Sequence, residues 1–293
     1  MNNSSELRIV QLTDPHVVPA GERLHDVTDS SGRLADAIAV VNAMKPRVDA
    51  LLLTGDLVET GTRPSYERLR ELIAAARMPV FLIPGNHDDK ALMAEMFGGT
   101  PAYPVSGGRA QYVVDDFPVR LVALDSVDPS SEFAEFTPER AAWLDHTLAA
   151  APDTPTLLFI HHPPMRTGIA FVDLSDPQWT DGLAKVLSRH RQVRYLVSGH
   201  AHMALQGTLA GVPVYVAPST AFQLVSRLGV DEPPSKVDVP GPIPLHYWDG
   251  QSFLTTTYPA FEIDEADRLD ALSGMSWEDL KKFMSIKVDA PDR

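Results

Sequence analysis

Seven short runs rich in β-branched and aliphatic residues each stop at a small or polar residue: LRIVQLTD, VDALLLTGD, PVFLIPGN, RLVALDS, TLLFIHH, VRYLVSGH and VPVYVAPST. Runs of this length and composition predict strands buried on both faces, since a strand with one wet face would alternate apolar and polar residues. Between them lie stretches with helical period: residues 31–44 (SGRLADAIAVVNAM), 65–77 (SYERLRELIAAAR), 138–150 and 178–190. Thr137 suits the N-cap of the third and Pro138 its first helical position. Strands alternating with helices predict an α/β architecture with a mostly parallel sheet.

The chemistry-bearing residues fall where those strands end. Of ten histidines, six follow directly: His16, His87, His161, His162, His200 and His202, joined by Asp14, Asp56 and Asn86. In open α/β sheets the carboxyl ends of the strands form the ligand crevice, so five separate segments would converge on one place. Taken singly, several have an ordinary explanation. Asp14-Pro15-His16 reads as a turn, although in an extended chain residues i and i+2 point the same way and can grip one ion together. Asp56 in "TGD" could cap a helix or, through its two oxygens, bridge two ions. His200 and His202 in "GHAH" resist a bland account, because two imidazoles after a buried strand lose hydration unless bonded or ligated. In "HHPP", one of His161 and His162 could be a ligand and the other packing.

With no cysteine in the chain, any metal must be held by imidazole, carboxylate or amide groups. Seven such donors at five strand ends suit a binuclear site for Fe, Mn, Zn or Co, the ions roughly 3.5–4 Å apart. Asn86 contributes an amide oxygen, and Gly85 before it lets backbone approach closely.

At 293 residues and 44% apolar content the chain can bury a large core. Its formal charge of −14, from 39 acids against 25 bases, counts against nucleic acid or anionic lipid as partner. An anionic substrate would need a local positive centre, such as a metal. No segment approaches the roughly 18 apolar residues of a membrane span, and MNNSSELRIVQL has neither a basic n-region nor an apolar h-region, so a cytoplasmic protein is expected. The five prolines of GVDEPPSKVDVPGPIP, residues 229–244, argue for an extended loop or insertion that shapes a pocket rim or an oligomer contact, leaving a homo-oligomer, dimer or higher, open. The expected organisation is one domain over residues 1–260 and an acidic tail over 261–293, with a short helix at SWEDLKKFM capped by Ser276.

The order Asp14-x-His16, Gly55-Asp56, Gly85-Asn86-His87-Asp88, His161-His162-Pro163-Pro164 and Gly199-His200-x-His202 resembles the calcineurin-like metallophosphoesterase superfamily. IPGNHDDKAL, VDDFPVRLVALDS and FIHHPP look most like its bacterial class III cyclic nucleotide phosphodiesterases and glycerophosphodiesterases, and the likeness covers roughly residues 7–260. The resemblance implies a four-layer αββα sandwich with two mixed β-sheets and a binuclear metal site at the carboxyl ends of the strands. It places Asp14, His16 and His202 on one ion, Asn86, His161 and His200 on the other, and Asp56 between them. His161 is preferred over His162 because the family pattern is His-x-Pro, which Pro163 completes.

The implied reaction is hydrolysis of a small phosphodiester, with a metal-bridging hydroxide attacking phosphorus in line. His87, beside the ligand Asn86, would stabilise the phosphate or protonate the leaving alkoxide. Two departures narrow the class. Thr60 stands where protein serine/threonine phosphatases have a phosphate-binding arginine, and Glu59 where purple acid phosphatases have a tyrosine ligand. Glu59 is expected to orient His87 instead. The alternatives are a nuclease or a phosphomonoesterase of the same superfamily, and, outside enzymes, a non-catalytic metal-binding scaffold. The acidic balance counts against the first, and the complete donor set against the last.

Overall fold

The computed structural model describes residues 5–105, 110–174, 178–261 and 274–285. Five strands form one sheet in the spatial order Phe253–Tyr258 (β13), Ile243–Trp248 (β12), Leu7–Leu12 (β1), Ala50–Thr54 (β2) and Val80–Ile83 (β3). Strands β1, β2 and β3 are parallel, whereas β12 runs antiparallel to β1 and to β13. A six-stranded sheet has the order Tyr112–Val114 (β4), Arg120–Ala123 (β5), Thr156–Phe159 (β6), Val193–Ser198 (β7), Val212–Val216 (β9) and Leu205–Leu209 (β8). Its four central strands are parallel and its two edges antiparallel.

Side chains alternate strictly across the second sheet, as the two-residue period of a strand requires. Leu157 and Phe159 of β6 join the core shared with β1, β2 and β3, while Leu158 and Ile160 pack with the other face. That other face is covered by Leu144 and Leu148 of helix Pro138–Ala149 (α4) and by Leu183 and Leu187 of Gln178–Leu187 (α5). The first sheet is covered by Ser30–Ala43 (α1), through Leu34 and Ile38, and by Arg63–Ile73 (α2), through Tyr66 and Leu69. The result is the four-layer αββα sandwich with two mixed sheets. Burial on both sides explains the unbroken apolar runs, each such side chain contributing about 1.5–3 kcal/mol.

All seven expected strands and all four expected helices are present, with α2 and α5 ending a few residues early, as frayed helix ends do. The sheets are mixed, as the resemblance implies, and not mostly parallel, because β4, β8, β12 and β13 run antiparallel to their neighbours. Strand β13 (FLTTTY) is half exposed, and β12 contains Pro244. The expectation for residues 229–244 needs correction. Ser235–Val237 (β11) pairs with Gln223–Val225 (β10), and Ile243 opens β12, which lies inside the first sheet. Proline removes a ladder donor and so demotes a strand on paper, yet here Pro244 simply faces Thr257. Helix Lys90–Phe97 (α3) was not read, although Asp89 caps it by accepting from Ala91 N and Leu92 N.

A polar chain crosses the otherwise apolar interior between the sheets. The Tyr195 hydroxyl meets Thr255 Oγ1 at 2.6 Å, Thr255 Oγ1 meets His246 Nδ1 at 2.8 Å, and His246 Nε2 meets Gln11 Oε1 at 3.1 Å. Gln11 Nε2 then donates to Thr54 Oγ1 (2.8 Å) and Ser198 O (2.9 Å), at the ends of β2 and β7. Burial pushes the His246 pKa down to about 3, so the ring is neutral and acts as a relay of hydrogen bonds. Gln11 thus fixes the two sheets together where their strand ends meet.

By packing, the chain divides into Met1–Phe261 and Glu262–Arg293. In the second unit Ser276 Oγ accepts from Asp279 N and caps helix Trp277–Ser285 (α6). Among the described residues no helix is long and apolar enough to cross a membrane.

Candidate metal centre

The strand ends do not continue extended. Asp14, His16, Asp56, His200 and His202 all have left-handed backbone, with φ of 49°, 43°, 46°, 67° and 49°. The extended spacing considered for Asp14 with His16 is therefore replaced by a tight reversal, and His200 and His202 are left-handed likewise. The cause is a backbone zipper between loops: Asp14 N donates to Gly55 O (3.1 Å) and His16 N to Asp56 O (3.0 Å). Such conformations cost about 1–3 kcal/mol each in a non-glycine residue and persist only where the surroundings enforce them. Two glycines allow the approach. A Cβ on Gly85 would collide with the Asp56 carboxylate, and one on Gly199 with Thr13 Oγ1 and Asp14 Oδ2.

The ring tautomers can be read from what each imidazole touches. His16 Nδ1 donates to Glu59 Oε2 (2.7 Å), His202 Nδ1 to Phe222 O (2.9 Å) and His161 Nδ1 to Thr54 O (2.9 Å). These partners can only accept, so each ring in its neutral form has a bare Nε2. Yet His16 Nε2 and His202 Nε2 face each other at 3.2 Å. Around them stand Asp14 Oδ1, 3.4 Å from His202 Nε2, and Asp56 Oδ2, 3.8 Å from His16 Nε2.

The same pattern repeats beside them. His161 Nε2 lies 3.0 Å from Asn86 Oδ1 and 3.4 Å from Asp56 Oδ1. Asn86 Nδ2 donates to Glu132 Oε2, which turns the amide oxygen toward His161. With the rings neutral, acceptor faces acceptor in both places, an arrangement that repels unless a proton or a metal cation sits between. The donor set is that of a divalent-metal site, its two groups sharing the two oxygens of Asp56. His200 stands at its edge, its ring 5.1 Å from that of His161 and 4.6 Å from that of His162.

His162 is differently placed. Ser126 Oγ bonds its Nδ1 at 2.8 Å and its Nε2 reaches Glu132 O at 3.3 Å, so both ring nitrogens have protein partners. His87 is partly exposed, with Nδ1 donating to the Glu59 carbonyl (2.9 Å) and its ring 4.8 Å from that of His16. The Glu59 carboxylate bonds His16, not His87, from which it stands 3.6 Å away; only the backbone of Glu59 orients His87. His16, Glu59 and His87 also form a compact trio, but there a donor meets an acceptor and no cation is required. Asp88 accepts from Gly85 N, Leu57 N and the Tyr66 hydroxyl, and so ties the turn that presents Asn86.

Burial works against charge throughout, and near neighbours reverse it selectively. The His202 imidazole holds the desolvated Asp14 below the usual carboxylate range, and the Asp56 carboxylate lifts buried His161 to about 9. His200, desolvated and beside His161, is pushed down to about 4. Burial, with Asp56 nearby, raises Asp88 to about 7. Without metal, His161 thus keeps a proton where a cation is wanted, and metal uptake must displace it.

Sequence reasoning passed over Glu132, Thr54 and Phe222, the last two because they act through backbone carbonyls that no side-chain motif announces. Glu59, expected to orient His87, holds it through the backbone carbonyl, and its carboxylate holds His16 as well. Removing the Glu59 hold on His16 in Glu59→Ala is expected to weaken metal binding by roughly 10–100-fold, read by metal titration of the stripped protein. Unchanged affinity would show that the His16 orientation is set elsewhere.

The chain matches the calcineurin-like phosphoesterase family over residues 7–204. It is 31% identical over 249 residues to a probable glycerophosphodiester phosphodiesterase of Arcobacter nitrofigilis, covering 85% of this chain and 91% of that protein. It is 35% identical over 243 residues to a probable cyclic nucleotide phosphodiesterase of Rhodopseudomonas palustris, covering 80% and 88%. Among solved structures, a dimetal phosphatase from Danio rerio superposes with a TM-score of 0.60 at 15% identity, covering 86% of this chain and 99% of that one, a likeness of fold.

Proposed function

The chain belongs to the calcineurin-like phosphoesterase family, and on that premise we propose that it hydrolyses small phosphodiesters, cyclic nucleotides or glycerophosphodiesters, at a centre of two divalent ions. The observation that carries this reading is the repeated meeting of acceptors, His16 Nε2 with His202 Nε2 and His161 Nε2 with Asn86 Oδ1. We assign Asp14, His16 and His202 to one ion, Asn86, His161 and His200 to the other, and Asp56 to both. Nitrogen and oxygen donors of this kind admit Fe, Mn, Zn or Co. When bound, such ions polarise phosphoryl oxygens and generate a nucleophile from water near neutral pH.

The protein's own part is charge, orientation and a proton. Asp14 and Asp56 offset about 2 of the roughly +4 that two such ions bring, which leaves a field suited to a singly charged diester. The Glu59 carbonyl fixes His87 through Nδ1, leaving Nε2 to carry a proton toward the leaving alkoxide. Burial opposes that proton, but the Asp56 carboxylate and the Glu59 carbonyl raise the His87 pKa on balance.

With Mn or Co supplied, bis(4-nitrophenyl) phosphate is expected to turn over much faster than 4-nitrophenyl phosphate, with two ions bound per chain. Monoester preference without diester turnover would overturn the assignment, and fewer than two ions without any turnover would favour a scaffold.

A further inference from the structure

The amino ends of β7, β9 and β13 border a cavity of about 460 Å³, within the roughly 300–1,000 Å³ range of small-ligand pockets. It is remote from the metal centre. Strand β7 starts at Val193 beside the cavity and ends at Ser198, just before His200, and a strand of this length spans roughly 17–20 Å. Among the described residues no carboxylate lines the cavity, although the chain as a whole carries a formal charge of −14. Arg191 and Arg194 do line it, and both are exposed. Their neighbours Arg189 and His190 are held by Asp145 at 2.9 and 2.8 Å, whereas Arg191 and Arg194 have no ion pair or side-chain hydrogen bond among the described residues. Asp249, in the turn that carries Gln251 and Ser252, is spent on their backbone N–H groups at 2.7 Å each. Arg194 owes its place to a register shift: Thr156 of β6 lies opposite Val193 and Leu157 opposite Tyr195, which leaves Arg194 as an extra residue on β7. Bulges of this kind re-aim a side chain and recur beside functional sites. The apolar wall is Phe253, half-buried and stacked on Tyr195 with ring centroids 5.1 Å apart and planes 15° from parallel.

From these observations we propose that the cavity binds a small molecule in which a phosphate-like dianion is joined to a flat apolar group, at a site separate from the metal centre. A guanidinium is planar and meets two oxygens of a phosphate or phosphonate at once, and two of them with no carboxylate beside them offset two negative charges. A singly charged anion would leave one of the two unmatched. The open face of Phe253 gives a ring a surface to stack on. An extended polyanion such as nucleic acid would meet the repulsion of the acidic chain beyond this small patch. The proposal is independent of the reaction assigned to the metal centre.

Equilibrium dialysis of phenylphosphonate, which has no ester to hydrolyse, against the metal-loaded full chain tests this. The double variant Arg191→Gln with Arg194→Gln is expected to bind one phenylphosphonate fewer per chain than wild type and to melt at the same temperature, since both side chains are exposed. At the site so lost, wild type should hold phenylphosphonate about tenfold or more tighter than its singly charged methyl ester, and a few-fold tighter than methylphosphonate, which has no ring. Arg189→Gln, which removes a guanidinium already engaged by Asp145, should bind as wild type does. Any phosphonate held at the metal donors is common to all three proteins, so the difference between them reports the cavity alone. Equal stoichiometry in wild type and the double variant would overturn the proposal, and so would the same loss in Arg189→Gln, which would make it a general effect of charge. Equal affinity for the methyl ester or for methylphosphonate would overturn it likewise, by removing the second charge or the ring from what is recognised.

Discussion

Asp56→Ala is expected to lose bound metal from both halves of the centre together and to abolish measurable diester turnover. The carboxylate reaches both donor groups, with Oδ2 3.8 Å from His16 Nε2 and Oδ1 3.4 Å from His161 Nε2. Its loss should exceed the roughly 10–100-fold in affinity that follows removal of a residue one step behind a ligand. Asp56 Oδ1 also accepts from His87 N, so a structural contribution must be separated. Asp56→Asn does this, since the amide keeps the shape and an accepting oxygen while removing the charge. Metal analysis after dialysis against Mn decides the matter. If Asp56→Ala melts at lower temperature yet still holds two ions, the residue is a brace for the turn and not a shared ligand.

His87→Ala should behave in the opposite way, keeping its metal and losing roughly 10²–10⁴ in kcat, the usual contribution of a positioned acid. The residue is partly exposed, and its Nδ1 is engaged by a carbonyl, so no metal donor depends on it. The size of the loss should follow the leaving group. An alkoxide leaves only with a proton, whereas 4-nitrophenolate leaves almost unaided, so alkyl diesters should suffer much more than bis(4-nitrophenyl) phosphate. An equal loss on both would argue that His87 stabilises the phosphate charge instead. Loss of metal equal to that in Asp56→Ala would make it a ligand and overturn the assignment.

How far the sequence spoke depends on whether a feature is local. The strand ending in Pro84-Gly85-Asn86-His87 could be read because a buried run, a turn and two polar side chains follow one another directly. Strand β12 was not, since Pro244 argues against a central strand and only its pairing with β1 and β13 makes it one. The resemblance put Glu59 beside His87, where its carbonyl holds the ring, but only the loop geometry shows that its carboxylate turns to His16. The left-handed backbone at Asp14, His16, Asp56, His200 and His202 carried no glycine to announce it, and at Asp14 and His16 it is accompanied by loop-to-loop hydrogen bonds to residues 55 and 56.

By itself the sequence determined which atoms were available: imidazole, carboxylate and amide, no thiol, each delivered at the end of a buried strand. Period and termination are properties of a few consecutive residues, and they survive in one dimension. Only the packing of two sheets decided that His202 meets Asp14 and His16, that His161 meets Asn86 and Asp56, and that His162 turns to Ser126 and Glu132. His202 and His161 meet partners far away in the chain, on loops that follow strands of the other sheet, and the two sheets are held together by a shared core and by Gln11, whereas Ser126 and His162 follow neighbouring strands of one sheet. A distance of three ångströms between them is a property of that packing, and with it the demand for a cation.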